Sequence, residues 1–406
     1  MRKSRPFSAS RSGPFRPFLL RQMNSRELLN LLRANSPCSR ADLVRLSGLS
    51  APTVSSTIEL LEKRNLVEYL GPGTSNGGRR PDLLRFNSKY GCVAGVDIGG
   101  SNLRLVLADL DGTILGRWTA DTSVLHTPAK VVDRIRDGIH ELLRQQGLGW
   151  RQLLAVAAGA PGITNVKAGM VLSAPHLANW ENVPLRALLG TRLRVPVVID
   201  NDVNVAAIGE RWNGAARGCD NFVFLAIGTG IGAGLFVRGE LYHGADWAAG
   251  EVGYLQVPGT HVSTVLMDKP GALESLIGGH GIARAWQMAC EKGRNGRLDP
   301  RLKPTEVFEL AEAGNSAAMR ILAESAKILA NTISNICVLL NPSLVVLGGG
   351  IGTSECLFEK TRRILERNDF ARPRLAISIL GEDAQLYGVL RLALDEVEES
   401  LLSATK

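Results

Sequence analysis

Apolar positions change their spacing along this chain of 406 residues. From Asn24 onward, Leu28, Leu29 and Leu32 recur at helical spacing, and Asn24 with Glu27 forms a capping pattern that predicts a helix start. Beyond residue 90, apolar residues come in short continuous runs separated by glycine-rich turns, which predicts buried strands. The spacing therefore divides the chain into a helical N-terminal part and a larger α/β part.

Two further helices follow the first, and a tight turn joins them. Ser39 and Asp42 form a second capping box, which opens a short helix ending at Gly48. Ser50 caps a third helix that runs to about Arg64. A helix, a turn containing glycine and another helix make the helix-turn-helix arrangement.

A wing is predicted after these helices. Residues 66–70 and 83–86 favour strands, and the loop between them contains Gly77, Arg79 and Arg80. A small three-helix domain that contacts protein is the alternative interpretation. The residues that we predict to contact DNA are Arg40, Ser50, Thr53, Ser55, Ser56, Arg79 and Arg80.

Charge favours the DNA interpretation. Residues 1–90 hold 16 Lys and Arg against 6 Asp and Glu, a net charge of +10, whereas the whole chain carries only +8. Positive charge confined to one end of a protein indicates a polyanion partner for that end. Together with the glycine turn and the arginine wing, this predicts binding to double-stranded DNA.

Two later stretches share the order strand, glycine turn, strand. The first, residues 93–115, turns at Gly99 and Gly100 directly after Asp97, and the second spans residues 222–237. Glycines let backbone amides approach a phosphate closely, and Asp97 is placed to meet a metal ion or a phosphate-bound water. One such turn alone is only a hairpin. Two of the same design, about 130 residues apart, indicate an internal duplication around a cleft.

Polar residues follow a buried strand that ends at Asp200. Asn201, Asp202 and Asn204 come next, and a carboxylate between two amides suits the orientation or deprotonation of a substrate hydroxyl. Alternatively, Asp202 only caps the next helix. A third glycine-rich loop, residues 348–352, either passes under a flat adenine ring or simply starts a helix.

Taken together, these motifs resemble the ROK family of repressors, open reading frames and kinases. The segments that carry the resemblance are Asp-Ile-Gly-Gly-Ser (97–101), Ala-Pro-Gly (160–162), Asp-Asn-Asp-Val-Asn-Val-Ala-Ala (200–207), Gly-Thr-Gly-Ile-Gly-Ala-Gly (228–234) and Gly-Glu-Val-Gly (250–253). The match covers residues 91 to about 395, and with the winged head the chain resembles a ROK transcriptional regulator. The resemblance implies an α/β protein: an N-terminal winged helix-turn-helix and a two-lobed domain with the actin/hexokinase/Hsp70-like fold of ROK sugar kinases.

The domain boundaries expected from this resemblance are as follows. Residues 1–20 form a disordered basic arm, and residues 21–88 form the winged helix-turn-helix domain. Residues 91–401 form the effector domain, with lobes at about 91–200 and 201–380 and a C-terminal helix that returns to the first lobe.

The resemblance also implies roles for individual residues. Asn201, Asp202, Glu251, Tyr254 and Glu274 correspond to the sugar site, and Asp202 corresponds to the catalytic base of the family's kinases. The nucleotide and phosphate loops of the family correspond to Asp97, Gly99, Gly100, Ser101, Gly228, Thr229, Gly230, Gly232, Gly348 and Gly349.

The chain departs from the family at its zinc site. Tyr254 stands where the family has a zinc-binding histidine, and Val265, Met267 and Ala272 stand at the three cysteine places. Neither a thiolate nor an imidazole remains at those places to build a tetrahedral zinc site. We therefore expect no zinc and no required cofactor, and Mg-ATP only if kinase activity is retained.

The function expected from these features is that of a sugar-responsive transcriptional regulator, a repressor of carbohydrate-utilisation genes. The alternative is an ATP-dependent sugar kinase that also binds DNA. The basic winged head favours the regulator, since catalysis does not need it. We expect a homo-oligomer, a dimer or a tetramer, because operators for such heads are usually palindromic.

Targeting signals and disulfides are not predicted. The basic N-terminal residues lack a following apolar segment, and Asn341-Pro342 interrupts the apolar run at 336–347. The six cysteines are scattered without a Cys-x-x-Cys pair, as in reduced cytosolic proteins. The sequence therefore predicts a cytoplasmic protein without a membrane partner.

Overall fold

The computed structural model describes residues 17–73, 80–122, 125, 127–174, 177, 179–257, 269–292, 299–369 and 372–403. The chain divides into two compact units. The head unit contains the chain up to Cys92, the turn Asp109–Thr113 and the chain from Asp395 onward. The effector unit contains Val93–Ala108 and Ile114–Leu394.

The head unit has the predicted winged helix-turn-helix. Its elements are α1 (Pro17–Asn35), β1 (Cys38–Ser39), α2 (Arg40–Ser47), α3 (Ala51–Lys63), β2 (Val67–Pro72) and β3 (Asp82–Phe86), with the three strands in the order β1-β3-β2. The capping box of Ser39 and Asp42 is confirmed, because each side chain accepts from the backbone N–H of the other. Gly48 ends α2 with a φ of 68°, a left-handed conformation that glycine adopts without strain.

The start of the first helix differs from the prediction. Helix α1 begins at Pro17 rather than at Asn24. Residues 18–23, Phe-Leu-Leu-Arg-Gln-Met, contain no helix breaker, and proline is favoured in the first helical turn, so the helix continues through the capping pattern at Asn24. The prediction of disorder is therefore wrong for residues 17–20, which are helical. Residues 1–16 of the predicted arm lie outside the described part of the chain.

The last residues of the chain belong to the head unit, whereas the predicted boundary assigned residues 91–401 to the effector. An ion pair joins Arg33 on α1 to Glu398, and Arg33 also lies over the Phe86 ring, with its guanidinium carbon 4.3 Å from the centroid. Arg64 donates to the carbonyl of Leu401 at 2.5 Å. These contacts join residues more than 300 positions apart, so local sequence patterns contain no sign of them.

The first half of the effector unit surrounds a five-stranded sheet. Its elements are β4 (Cys92–Ile98), β5 (Asn102–Asp109), β6 (Ile114–Asp121), α4 (Pro128–Gln145), β7 (Leu153–Ala160), β8 (Ile163–Asn165), β9 (Met170–Ser173), β10 (Glu181–Val183), α5 (Leu185–Leu193), β11 (Val197–Asn201) and α6 (Asp202–Asn213). The strand order of this first sheet is β11-β7-β4-β5-β6. Strands β8, β9 and β10 form a small separate antiparallel sheet.

The second half contains another five-stranded sheet. Its elements are β12 (Phe222–Ile227), β13 (Ile231–Val237), β14 (Glu240–Leu241), α7 (Glu274–Ile277), α8 (Gly279–Lys292), α9 (Pro304–Glu312), α10 (Ser316–Leu340), β15 (Leu344–Gly348), α11 (Gly349–Gly352), α12 (Glu355–Leu365), β16 (Arg374–Ile377) and α13 (Ala384–Ser403). The strand order of this second sheet is β16-β15-β12-β13-β14.

The two sheets repeat one topology. In each, the first strand lies at the centre, with the second and third strands on one side and the fourth and fifth on the other. The predicted internal duplication is thus present in the strand order. Both faces of the second sheet are covered by apolar side chains: Val223 and Leu225 pack in one cluster with Trp286, and Phe222 and Phe224 pack in another.

Helices α6 and α13 approach each other closely because glycines lie at their contact. A Cβ atom on Gly388 would lie 1.7 Å from the carbonyl oxygen of Val205, and one on Gly209 would lie 2.1 Å from that of Ala384. The neighbouring Val389 packs beside Gly95 of the first sheet, as expected for a C-terminal helix that returns to the first lobe. None of the described helices is long and apolar enough to cross a membrane.

Replacing Gly388 with Ala should destabilise the protein by about 1–3 kcal/mol, because the new methyl group overlaps the α6 backbone. Urea unfolding measures this loss. Gly190→Ala is the matched control: its Cβ meets nothing within 4 Å, and it lies inside helix α5. The control should be neutral or stabilising by up to about 1 kcal/mol. Equal effects of the two substitutions would contradict the close approach of α6 and α13.

Candidate functional site

The predicted DNA-contacting hydroxyls lie at the start of α3. Ser50 caps the helix, and its Oγ lies 2.8 Å from Oγ1 of Thr53. Ser56 is exposed and donates to the carbonyl of Thr53 at 3.1 Å, whereas Ser55 is half-buried. The first turns of α3 therefore present a small polar surface, as a helix entering the major groove requires.

The predicted arginines have different surroundings. Arg40 is half-buried and donates to both carboxylate oxygens of Glu62 at 2.9 and 3.1 Å, which ties α2 to α3. Arg80 is exposed at the start of the second wing strand. Arg79 lies outside the described residues. Among these three predicted contacts, Arg80 is the one that the structure presents on the surface.

Asn201 is the N-cap of helix α6, so the interpretation that Asp202 supplies the cap is wrong. The Asn201 Oδ1 accepts from the N–H groups of Val203 and Asn204 at 2.8 and 3.1 Å. Its Nδ2 donates to the carbonyl of Gly162 at 2.8 Å. The polar atoms of Asn201 therefore hold the end of β11, the start of α6 and the Ala-Pro-Gly turn together, and its predicted sugar contact stays a prediction.

Asp202 occupies the first position of α6, and its Oδ1 accepts from the N–H of Val203 at 2.9 Å. Burial and the charges of Asp97 and Glu251 raise the pKa of Asp202 to about 7. The carboxylates of Asp97 and Glu251 therefore both lie within electrostatic reach of Asp202. A group with this pKa exchanges its proton near neutral pH, as a hydrogen-bond partner or base for a sugar hydroxyl would.

Glu251 and Glu274 complete the acidic cleft. Burial and the charge of Glu274 raise the pKa of Glu251. One oxygen of Glu274 accepts from the N–H of Ile231 at 3.0 Å, so that side chain also fixes the second glycine turn. Tyr254 follows Glu251 on a short helical turn and is half-buried. The structure thus brings Asp202, Glu251 and Glu274 together as predicted.

His243 is a polar residue of this cleft that the sequence patterns did not identify. Its Nε2 lies 2.8 Å from Oδ2 of Asp200. The other oxygen of Asp200 accepts from the side-chain amide of Asn204 at 2.9 Å and from the N–H of Asn201 at 2.7 Å. Because Asp200 ends a strand of the first sheet and His243 follows β14 of the second, this pair joins the two lobes.

The first glycine turn is closed by backbone contacts. Gly99 donates to the carbonyl of Asn102 at 2.8 Å, and its own carbonyl accepts from the hydroxyl of Thr122 at 3.0 Å. Gly100 and Ser101 are exposed at the tip. The turn therefore has the exposed backbone that the sequence predicted.

Asp97, at the end of β4, has a partner that the sequence did not indicate. Arg104 on β5 lies with its Nε and Nη2 at 2.8 and 2.6 Å from Oδ2 of Asp97. Burial raises the pKa of Asp97, and the guanidinium opposes that rise. A guanidinium from the chain itself thus contacts Asp97, for which the sequence predicted a metal ion or a phosphate-bound water.

The second glycine turn rests on helix α8. Gly228 donates to the carbonyl of Gly230 at 2.9 Å, and its own carbonyl accepts from the N–H of Gly279 at 2.8 Å. Thr229 is exposed at the tip, and Gly232 packs against Val203 of α6. The turn is held on both sides, so its exposed backbone has a fixed direction.

The third glycine loop starts a helix, as one of the two interpretations proposed. Gly348 ends β15, and a Cβ there would lie 2.3 Å from the Phe224 ring. Gly349 has a φ of 78° and begins α11 against the carbonyl of Ile227. Close packing against β12 therefore explains why glycine is needed at both positions, and no bound nucleotide is needed to explain them.

The described residues at the family's zinc-ligand places do not fit a zinc ion. A Cβ on Gly271 would lie 2.1 Å from the carbonyl of Gly253, so the backbones that carry Tyr254 and Ala272 are in contact. Neither side chain offers a thiolate or an imidazole. The places of Val265 and Met267 lie outside the described residues.

Both units of the chain match known protein families. The ROK family model matches residues 93–396, and a winged helix-turn-helix DNA-binding model matches residues 24–68. The chain is 30% identical to the xylose repressor of Bacillus subtilis over 389 residues, which cover 93% of this chain and 96% of that one. It is also 30% identical to the glucokinase of Halalkalibacterium halodurans over 311 residues, which cover 72% of this chain and 92% of that one.

A solved structure supports the fold. A ROK family transcriptional regulator, described as a homologue of the E. coli MLC protein, superposes with a TM-score of 0.80 at 21% identity. The superposition covers 95% of this chain and 98% of that one. The resemblance found in the sequence is thus confirmed, and the chain belongs to the ROK family, as a member with a winged helix-turn-helix DNA-binding head.

Proposed function

We propose that this protein is a sugar-responsive DNA-binding repressor of carbohydrate-utilisation genes. The observation that carries the proposal is the presence, in one chain, of a basic winged head and a kinase-like unit with an acidic cleft. The similarity to the xylose repressor runs through both units, whereas the similarity to the glucokinase covers a smaller share of the chain. The head is the part that a kinase does not need.

The charge of the cleft favours a neutral sugar over a sugar phosphate. Glu251 lies close enough to raise the pKa of Asp202, and Glu274 lies close enough to raise the pKa of Glu251. A phosphate group would add negative charge to this cluster, and like charges in a partly buried site repel strongly. Sugar hydroxyls, in contrast, donate hydrogen bonds to carboxylates.

The regulator is proposed to act as a homo-oligomer in the cytoplasm. A winged head presents one recognition helix, and two heads related by a twofold axis read a palindromic operator. A sugar that binds one arrangement of the two lobes more tightly shifts the chain toward that arrangement. Since neither zinc nor nucleotide takes part in this scheme, no cofactor is required.

A sugar kinase is the second candidate. The observation in its favour is the pKa of Asp202, which at about 7 suits a general base. The guanidinium on Asp97 counts against it, because phosphoryl transfer uses metal ions to neutralise the phosphates.

Replacing Arg79 and Arg80 with Ala should weaken DNA binding. The slope of the logarithm of the binding constant against the logarithm of the salt concentration should become shallower by about two units, one for each lost phosphate contact. Fluorescence anisotropy with a labelled operator fragment, titrated at several salt concentrations, measures the slope. Arg85→Ala is the control, because Arg85 on the same wing is paired with Glu68 at 2.8 Å. DNA binding that does not respond to salt would contradict the proposed head.

Replacing Glu251 with Gln should weaken sugar binding about tenfold or more, since a buried polar group left without its partner costs about 1–3 kcal/mol. Xylose and glucose are suitable first ligands for calorimetry. Glu240→Gln, on the exposed strand β14, is the control and should bind normally. Sugar and operator should also change each other's affinity by the same factor. Unchanged sugar binding in Glu251→Gln would place the sensor elsewhere.

Sugar affinity should rise with pH through about 7. A hydroxyl that donates to Asp202 favours the ionised carboxylate, so binding below the pKa must first remove a proton. We expect about a tenfold loss of affinity between about pH 8 and about pH 6. Asp202→Asn should abolish this step, and an unchanged step in that variant would assign it to another group.

Stability without ligand should have the opposite pH trend. The folded-state pKa of Asp202 lies above its ordinary value of 3.8, so the protonated form is favoured in the folded chain. Its contribution to the free energy of unfolding is fully present below about 3.8 and is lost as the pH rises through about 7. Urea unfolding of the wild type and Asp202→Asn across this range isolates the contribution.

A further inference from the structure

The guanidinium of Arg104 is held by three groups of the effector unit. Nε and Nη2 donate to Oδ2 of Asp97 at 2.8 and 2.6 Å. Nη1 donates to the carbonyl of Glu382 at 2.6 Å, and Nη2 also lies 3.4 Å from Oε1 of Gln385. Since each nitrogen has a partner, the side chain is fixed between β4 and the start of α13.

This arrangement determines the charge at the first glycine turn. Asp97 is buried, and the Arg104 side chain is only 23% exposed, so solvent screens the pair weakly. A carboxylate paired with a guanidinium through two donors is neutral as a unit. The turn after β4 therefore faces a neutral pair rather than a free acidic group.

Magnesium does not fit beside this pair. Mg²⁺ takes oxygen ligands in strict octahedral geometry and binds nucleotide phosphates together with one or two protein carboxylates. Here Oδ2 of Asp97 already accepts two hydrogen bonds, and the guanidinium would repel a second cation at contact distance. Arg104 compensates little for the lost metal as an anion site, because four of its five N–H donors are directed at Asp97, Glu382 and Gln385.

We propose that Arg104 takes the place of the metal ion at Asp97 and thereby excludes magnesium–nucleotide complexes from the first glycine turn. Arg104 is then the residue that makes the cleft specific for a sugar alone. The inference deepens the proposed function, since it assigns the ligand class of the same cleft. The proposed sugar contacts at Glu251 do not involve Arg104. An experiment can therefore contradict the role of Arg104 without contradicting the sugar-sensor function, and the reverse.

The test measures binding of the non-hydrolysable ATP analogue AMPPNP with Mg²⁺ by calorimetry on the full-length chain. The wild type should show no saturable binding, and Arg104→Ala should bind at least about tenfold tighter than the wild type, because a like charge has been removed from the metal's position. Arg117→Ala is the matched control. Arg117, on neighbouring β6, pairs with Asp383 at 2.7 and 2.9 Å, so the control also removes an arginine that holds the chain just before α13.

A second variant separates charge from folding. Asp97→Asn leaves Arg104 without its carboxylate, so AMPPNP free of metal should bind this variant more tightly than the wild type. Micromolar binding of magnesium–AMPPNP by the wild type would overturn the proposal, whether or not the variants fold. Arg104→Ala and Arg117→Ala with equal nucleotide affinity would overturn it as well.

Sugar binding in the same samples distinguishes this proposal from the proposed function. If the wild type binds sugar and also magnesium–nucleotide, the role of Arg104 is wrong while the sensor stands. If it binds neither sugar nor nucleotide and no variant gains nucleotide binding, both proposals fail. If Arg104→Ala gains nucleotide while sugar binding is absent in every sample, only the proposed sensor fails.

Discussion

Negative charge crowded into one partly buried cleft is the constraint on which the effector unit depends. Each acid of the cleft is accommodated differently: Asp97 by a guanidinium, Asp200 by an imidazole and two amide N–H donors, Glu274 by a backbone N–H, and Asp202 by a raised pKa. Because burying an unpaired carboxylate costs several kcal/mol, these partners determine which acids remain ionised. The result is that Asp202 exchanges its proton near neutral pH, beside Asp97, Asp200 and Glu274, which have partners, and Glu251, whose pKa is also raised. In the proposed sensor, a neutral sugar competes with a proton for Asp202.

The duplicated fold explains why these acids meet. Both sheets have the same strand order, with the first strand at the centre and the glycine turn after it. The pair of His243 and Asp200 links the two copies, and α6 leaves the first sheet to pack on the second. The two turns differ in their contacts: Asp97 before the first is paired with Arg104, whereas the second is held by Glu274 and the start of α8. Two sheets with the same strand order therefore carry glycine turns with different side-chain partners.

Local patterns were sufficient for the head and for the order of the elements. The capping box at Ser39 and the left-handed turn at Gly48 depend on residues a few positions apart, so they could be predicted. The two glycine hairpins and the duplication were likewise visible, since each repeats a pattern. His243 could not be identified, because its partner Asp200 lies 43 positions away and is brought near by strand order. Arg104 lies only seven positions from Asp97 across the predicted hairpin, but the pattern of glycines and apolar residues did not indicate their pairing. Asn201 has a second role that the resemblance did not indicate: its polar atoms cap α6 and hold the Ala-Pro-Gly turn, and its sugar contact stays a prediction.

A sensor tolerates changes in this cleft that a kinase does not. Phosphoryl transfer needs the sugar hydroxyl aligned with a metal-bound phosphate, and a misplacement of about 1 Å costs about a hundredfold in rate. A sensor needs only a difference in affinity between two arrangements of the lobes, and the proposed hydrogen bonds to Asp202 and Glu251 would supply that difference without in-line geometry. Under the proposed sensor function, a permanent cation at Asp97 has an advantage over an exchangeable one. It neutralises the charge of the buried carboxylate at every metal concentration, so that in this scheme sugar alone determines the state of the cleft.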